Sequence, residues 1–297
     1  MELEELFCEI DDFCVDFELL WEQQLLPKQG RKQRKRQCSL SLSEVMTIIV
    51  NFHASSYRNF KHYYIEHVTK YLGYSFPKLV SYNRFIELIP SSLIPLICYL
   101  NTRKGTVTGI NFIDSTRIPV CHNQRAGRNK VFKDFADWGK SSIGWFFGFK
   151  LHLVINEIGE LLSFKLTPGN TDDRQPVPDL VKGIFGKIFG DKGYISQKLF
   201  AQLFESGLQL ITPNKQNMKN RLIPLIDKLM LRKRSIIETV NDQLKNISHI
   251  VHSRHRSVCN FMVNLIAGLV AYTHQSKKPS LSIPRTDLSQ LTEGLAF

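Results

Sequence analysis

Three acidic side chains are the first candidates for chemistry: Asp114, Asp191 and Glu238. Asp114 follows the apolar stretch Ile110–Ile113, and Asp191 follows Ile188-Phe189-Gly190, so each is expected at or near the polar end of a buried strand, within reach of solvent and a ligand. Hard divalent cations take oxygen ligands of this kind. Each also has a plainer reading: Asp114 as a cap for Ser115-Thr116, and Asp191-Lys192-Gly193 as a turn. Glu238 can be phased. At about 100° per residue, Ile236, Ile237, Val240, Leu244 and Ile247 fall on one side of a helix, and Arg234, Glu238, Asn241 and Lys245 on the other. The alternative is a solvated face with Arg234 and Glu238 paired at i, i+4, worth only about 0.3–0.5 kcal/mol.

The partner is suggested by charge. The chain of 297 residues carries a formal +12, yet its first 22 residues hold nine acids and no Lys or Arg. Setting those nine aside leaves 18 acids against 39 bases, a balance of +21 over the remainder. Such an excess suits a polyphosphate. It is also clustered, with Lys28, Arg31, Lys32, Arg34, Lys35 and Arg36 within nine residues. The composition, 43% hydrophobic and 22% charged, excludes a mainly disordered or fibrous chain. Six cysteines without a CxxC pair read as reduced thiols rather than a secreted scaffold. The N-terminus is acidic, unlike a signal peptide, and the Phe261–Tyr272 stretch is too short to span a bilayer, so the expectation is a cytoplasmic, nucleoid-associated protein without a membrane partner.

The elements that must position these residues follow from apolar spacing. Leu3 to Trp21 recur at three- and four-residue steps along an acidic helix, either a bundle helix or a protein contact. Ser41 or Ser43 can cap the next helix, with Glu44 close behind, and helix-like spacing continues to about residue 100. Strands are expected at 110–113 with 118–120, at Trp145–Ile155, Leu161–Leu166, Lys187–Gly190 and Leu208–Thr212, with helices at Val177–Ile184 and Gln197–Ser206. A polar loop with Arg125, Arg128, Lys130, Lys133 and Lys140 separates the first two strands. Three antiparallel strands followed by alternating helices and strands is the order of a ribonuclease-H-like mixed sheet, although periodicity alone justifies only α/β. The expected division is a helical N-terminal module over 1–105, an α/β domain carrying the three acids over 106–275, and a tail over 276–297.

Four motifs in order carry a resemblance: "NFIDSTRIPV" around Asp114, "GWFFGFKLHLVIN" at 144–156, "FGDKGYIS" around Asp191, and "RSIIETVNDQLK" at 234–245. The chain resembles the DDE transposases of bacterial insertion sequences, whose catalytic domain is retroviral-integrase-like, and within them the group numbered nine hundred and eighty-two. Arg234, Glu238 and Lys245 match that family's C-terminal spacing; where its signature has a tyrosine three positions before the arginine, this chain has Leu231. The resemblance implies that Asp114, Asp191 and Glu238 are catalytic and hold two Mg²⁺ ions, with Mn²⁺ able to substitute, for hydrolysis and strand transfer. It implies DNA as partner, both as terminal inverted repeats and as target duplex, bound by a homodimer on paired ends.

Arg234 and Lys245 would then hold phosphates, as would Lys32, Arg34, Lys35 and Arg36 in the basic run. Lys150 and His152, on alternate positions of the second strand, would line the site or serve the core. Asp172 and Asp173 read as a polar turn or as support for the site. His249, His252 and His255 lack the i, i+4 spacing of a helical zinc pair and read, with Arg254 and Arg256, as phosphate contacts. Two rivals remain: a structure-directed nuclease that only hydrolyses, and a DNA-binding relative that no longer cuts.

Overall fold

Nine backbone pairings, from Asn111↔Asn156 to Pro119↔Gly148, join β1 (Ile110–Pro119) to β3 (Gly144–Asn156) in antiparallel register. They carry β1 straight through Asp114, so the apolar residues at 110–113 and at 118 belong to one strand, as the sequence suggests. β2 (Asp137–Ser141) and β4 (Leu161–Pro168) share the other edge of β3, β2 beside 144–148 and β4 beside 149–155. On the far side of β1 run β5 (Gly186–Phe189) and then β6 (Leu208–Ile211), both parallel to it. β2 lies in what reads as the polar loop. Its five residues, DWGKS, carry little apolar alternation, and pairing with β3 across the turn at Gly144 (φ +126°) makes the strand.

The computed structural model describes residues 2–24, 39–215, 218, 222–251 and 254–281. They form two compact units, residues up to 103 with 244–276, and residues 104–243 with those from 277 onward. The second holds the sheet. β3 is buried almost throughout, so both sheet faces need cover. One core gathers Ile113, Val154, Ile188 and Leu208 from the strands with Leu199 and Leu203 from α8 (Gln197–Glu205), each such burial stabilising by roughly 1.5–3 kcal/mol.

The helix expected over Val177–Ile184 is one turn only, α7 (Val177–Leu180). Gly183 and Gly186 both adopt positive φ (+78° and +87°) and turn the chain into β5. At Gly186 a Cβ would fall 2.3 Å from the Gly109 carbonyl oxygen, so only glycine lets β5 start beside β1. α9 (Leu225–Lys233) and α10 (Ser235–Asn246) follow the sheet.

The first unit is built of helices among its described residues. They are α1 (Leu3–Gln24), α2 (Leu42–Ala54), α3 (Phe60–His62), a π turn at Tyr63–Val68, α4 (Thr69–Tyr71), α5 (Tyr82–Leu88), a 3₁₀ turn at Ile89–Ser92, α6 (Leu93–Thr102) and α11 (Val258–Thr273). Ser41 and Glu44 close a capping box at the start of α2, satisfying two backbone donors there. α1 buries Leu6, Ile10 and Cys14, with Phe13, Phe17 and Trp21 stacked along it at 5.6 and 5.5 Å, the place of an ordinary bundle helix.

The expected boundaries differ here. The sequence reading gave residues up to 275 to the catalytic domain, but α11 is apolar nearly all round, with 12 buried residues, and such a helix has to lie inside a bundle. It packs against α2 and α6, so the first hundred residues do not complete their unit alone. By length and composition the run Tyr82–Thr102 could cross a membrane; its α6 segment packs on α11 instead. In the expected tail, the amide of Leu281 donates to the Glu157 carbonyl, returning the chain to the sheet unit.

Candidate active site

Strand register sets Asp114 beside Asp191. The parallel pairing of β1 with β5 ends at Phe112↔Phe189, and each aspartate lies two residues further along its chain, so both stand at the C-terminal end of the same strand pair. Gly190, just before Asp191, must be small: a Cβ there would lie 2.9 Å from the Tyr194 ring and 3.2 Å from Ile113 Cγ2. Asp191 Oδ1 accepts the Gly193 amide at 2.8 Å, capping the 3₁₀ turn Lys192–Tyr194. The turn foreseen as an alternative use of this residue thus exists, and it fixes the carboxylate at the strand end.

α10 brings the third carboxylate. Residues 234, 238 and 241 share one stripe of that helical turn, and the stripe faces β1: Asn241 Nδ2 donates to Asp114 Oδ2 at 3.0 Å. Arg234 stands between two acids, its Nη2 2.7 Å from Glu238 Oε1 and its Nη1 3.9 Å from Asp114 Oδ1. Glu238 keeps 56% of its side chain exposed, whereas Asp114 keeps only 19%.

That difference shows in the proton affinity of Asp114. Its carboxyl is pushed up to about 7, chiefly by burial, with the charges of Asp191 and Glu238 adding to the shift while Arg234 and the Ser115 amide oppose it. The negative field that raises the proton affinity of Asp114 also attracts a cation. Oxygen-only ligands without a thiolate fit a hard divalent ion. Among the described residues no three His, Cys, Asp or Glu groups are gathered tightly enough to hold a metal ion as they stand. Glu238 is turned onto Arg234, and Asp191 onto its own turn.

Beside the triad lies a second polar cluster on β1 and β3. Asp173 Oδ1 accepts from Ser115 Oγ and from Lys150 Nζ, both at 3.0 Å, and Lys150 Nζ also donates to the Thr171 carbonyl at 2.8 Å. Tyr194 links the two clusters: its phenol is raised well above the ordinary range by burial first, then by Asp114, Asp173 and Asp191. Lys150 is thus bonded to Asp173 and to none of the three candidate carboxylates. His152 is fully buried, its Nε2 2.8 Å from Thr167 Oγ1, and burial lowers its pKa to about 4. It serves the sheet as a neutral ring.

Lys245 lies on α10 two turns beyond Glu238. Lys32, Arg34, Lys35, Arg36 and His252 lie outside the described residues. Asn241 and Ser115 are not among the site groups that the sequence singles out, and of the two readings of Asp173, a polar turn or support for the site, the bonds to Ser115 and Lys150 favour the second. Asn241 was findable, being three residues past Glu238 on the same polar stripe. Nothing in the spacing singles out Ser115.

Acidic groups at the open end of parallel strands, the most buried of them with its proton affinity raised chiefly by that burial, and an arginine among them, are chemistry that suits a divalent cation and a phosphate ester. Residues 104–258, which include all three carboxylates, match the transposase DDE domain family, and the chain belongs to it. It is a transposase, an enzyme that cuts and joins DNA strands in transposition, of insertion-sequence type, and the family works with divalent metal ions. A putative transposase for insertion sequence element IS6501 from Brucella ovis is 30% identical over 115 residues, 38% of this chain and 88% of that protein. Among solved structures, a piggyBac transposase synaptic complex with hairpin DNA aligns over 98% of this chain and 77% of its own, at 11% identity and a TM-score of 0.47. The Mos1 strand transfer complex aligns over 88% and 84%, at 11% identity and a TM-score of 0.24.

Proposed function

We propose that Asp114, Asp191 and Glu238 are the catalytic carboxylates of this transposase, in a ribonuclease-H-like domain of the insertion-sequence group numbered nine hundred and eighty-two. The observation that carries the reading is the matched offset of Asp114 and Asp191 on adjacent parallel strands, with Asn241 of α10 bonded to Asp114 and Arg234, just before α10, between Asp114 and Glu238. The strand order β4-β3-β1-β5-β6, with only β3 antiparallel to β1 in the central part, supports the fold name. The spacing of Arg234, Glu238 and Lys245 supports the group.

Two divalent ions, Mg²⁺ or in its place Mn²⁺, would be held by the three carboxylates and would neutralise charge on the entering and leaving oxygens of a phosphodiester. Asp114 must lose its proton for that role, which Arg234 and the Ser115 amide favour. Asn241 fixes the rotation of the Asp114 carboxylate. Arg234, once Glu238 turns from it, is a planar donor suited to a non-bridging phosphate oxygen. No side-chain nucleophile is required, because water serves for nicking and a freed 3′-hydroxyl for joining. The DNA is the element's terminal repeats and a target duplex, bound by a homodimer that pairs two ends.

Glu238→Gln tests this. Gln keeps shape and helix propensity on a half-exposed position, so folding should change by no more than a few tenths of a kcal/mol. Nicking and strand transfer should fall together at least about a hundredfold, roughly 2.7 kcal/mol of barrier, with end binding retained. A folded variant that cuts like the parent overturns the triad. Hydrolysis without any joining of a cut end to a second duplex supports the nuclease rival.

A further inference from the structure

The helical unit holds an open cavity of about 760 Å³, bounded by α2, the stretch around α3, α5 and the start of α11. Its floor is apolar, with Ile49, Phe52 and Val263 all buried. Its mouth carries four exposed cations, Arg58, Lys61, Arg254 and Arg256. Among the described residues no acid lines the cavity, and none of the four is in an ion pair. Cations gathered on one opening without counter-charge repel one another, and a polyanion relieves that repulsion.

The wall has its own chemistry. Tyr82 lines it with Lys61 Nζ 5.8 Å from its ring centroid; burial raises its phenol while the charge of Arg256 pulls it back. Asn264, only 8% exposed, has an Nδ2 with no partner, and one turn earlier Asn260 has an Oδ1 with none. Buried amide atoms without partners are rare, because each costs its full desolvation. Here an unused donor and an unused acceptor belong to residues at i, i+4 on one helix that both line the cavity, the two atoms themselves lying covered just behind its wall. A nucleobase edge offers the complementary acceptor and donor, and an aromatic ring offers a stacking face. A stacked duplex would present only its phosphates to the mouth and leave both amides unpaired.

We propose that this cavity is a second DNA site that takes one unpaired nucleotide, its base inside against Tyr82 and the Asn260–Asn264 pair, its flanking phosphates on the four cations. The proposal rests on DNA being the partner of this chain, and it is independent of the triad.

The test uses the full chain in chelator, where no cutting occurs, and measures fluorescence anisotropy of a blunt duplex and of the same duplex with a three-nucleotide single-stranded overhang. The overhang should bind at least about tenfold tighter, with quenching of a 2-aminopurine placed in it. Asn264→Leu removes an unpaired buried amide, so it should fold at least as stably as the parent by thermal melting. It should abolish the preference for the overhang and leave blunt-duplex binding unchanged. Replacing Arg254 and Arg256 together by Ala should weaken overhang binding and lower its salt slope by up to about 1.4, at roughly 0.7 per single-strand phosphate. Equal affinity for the two DNAs, or an overhang preference that survives in a folded Asn264→Leu variant, overturns the assignment. So does displacement of the overhang by polyglutamate as readily as by oligonucleotide, which points to an acidic peptide. Tight binding of free dAMP with no overhang preference assigns the cavity to a soluble nucleotide and also overturns it. Loss of all DNA binding by the parent would instead sink the reading of DNA as partner.

Discussion

Asp114→Asn should make the metal-free protein more stable at alkaline pH. With a folded pKa of about 7 against an ordinary 3.8, the native state binds the Asp114 proton more tightly than the unfolded chain does. The sign follows: the carboxylate destabilises the fold fully above about pH 7, less as pH falls from 7 toward 3.8, and not at all below that. Integrating the two titrations gives a penalty of about 4 kcal/mol at pH 8 and about 2 kcal/mol at pH 5. Asparagine keeps the shape of the side chain and an oxygen for the Asn241 amide, and carries no charge to bury. Its gain at pH 8 is therefore up to about 4 kcal/mol, each kcal/mol worth roughly 2–4 °C for a chain of this size. The assay is thermal unfolding of both proteins in chelator between pH 5 and 8. The lowered histidines, His53, His152 and His255, titrate in both proteins and cancel in the difference. Equal stability at pH 8, or a gap that does not shrink by pH 5, refutes the argument that burial and neighbouring acids hold this proton.

Cleavage should require Mg²⁺ or Mn²⁺, with Ca²⁺ supporting end binding but little cutting, because Mg²⁺ demands a tight octahedral shell that Ca²⁺ relaxes; full activity in excess chelator would contradict this. Asn241→Leu leaves Asp114 without its amide donor, so the acid limb of the cleavage pH profile should move to higher pH, and an unmoved profile would make Asn241 a spacer only. Neutralising Lys32, Arg34, Lys35 and Arg36 together should flatten the slope of log affinity against log salt by as much as about 3–4, at roughly 0.9 per duplex phosphate. An unchanged slope would show that this run does not touch DNA.

The strands were legible where apolar residues run unbroken, as in Trp145–Ile155, and illegible where pairing alone makes the strand, as in β2 with its DWGKS. The polar residues of β1 from Asp114 to Arg117 leave it one strand, because the backbone there bonds to β3. Glycine at positive φ is a tertiary instruction as much as a local one: Gly183 and Gly186 end an apolar stretch that spacing alone extends to Ile184. The α10 stripe was legible because helical phase is fixed by sequence, and that phase placed Arg234, Glu238 and Asn241 together before any contact was known. What faces the stripe was not legible, since the contact of Asn241 with Asp114 spans 127 residues. The same limit hid the membership of α11. Its all-round apolar surface calls for a bundle interior, but nothing in the sequence says that the bundle begins some two hundred residues earlier.

The partners that now occupy the carboxylates do not argue against a metal site, because their strengths differ from that of the field around Asp114. The Glu238–Arg234 pair is half-exposed on its acid side, a geometry worth about 0–1 kcal/mol. The bond from the Gly193 amide to Asp191 uses one oxygen of the carboxylate, worth on the order of 1 kcal/mol, and leaves the other oxygen to a ligand. Either arrangement can give way to a divalent ion at a cost well below what the ion recovers. The burial of Asp114 cannot be undone in this way, since it comes from the sheet and from α10. Its raised proton affinity is the part of the site that the fold itself imposes, and a cation is the ligand that relieves it. Arg234 lies between Asp114 and Glu238 in partial answer to that need. A planar donor displaced from there by a metal ion is suited to a phosphate oxygen, so on the proposed reading the residue that screens the carboxylates would also hold the substrate.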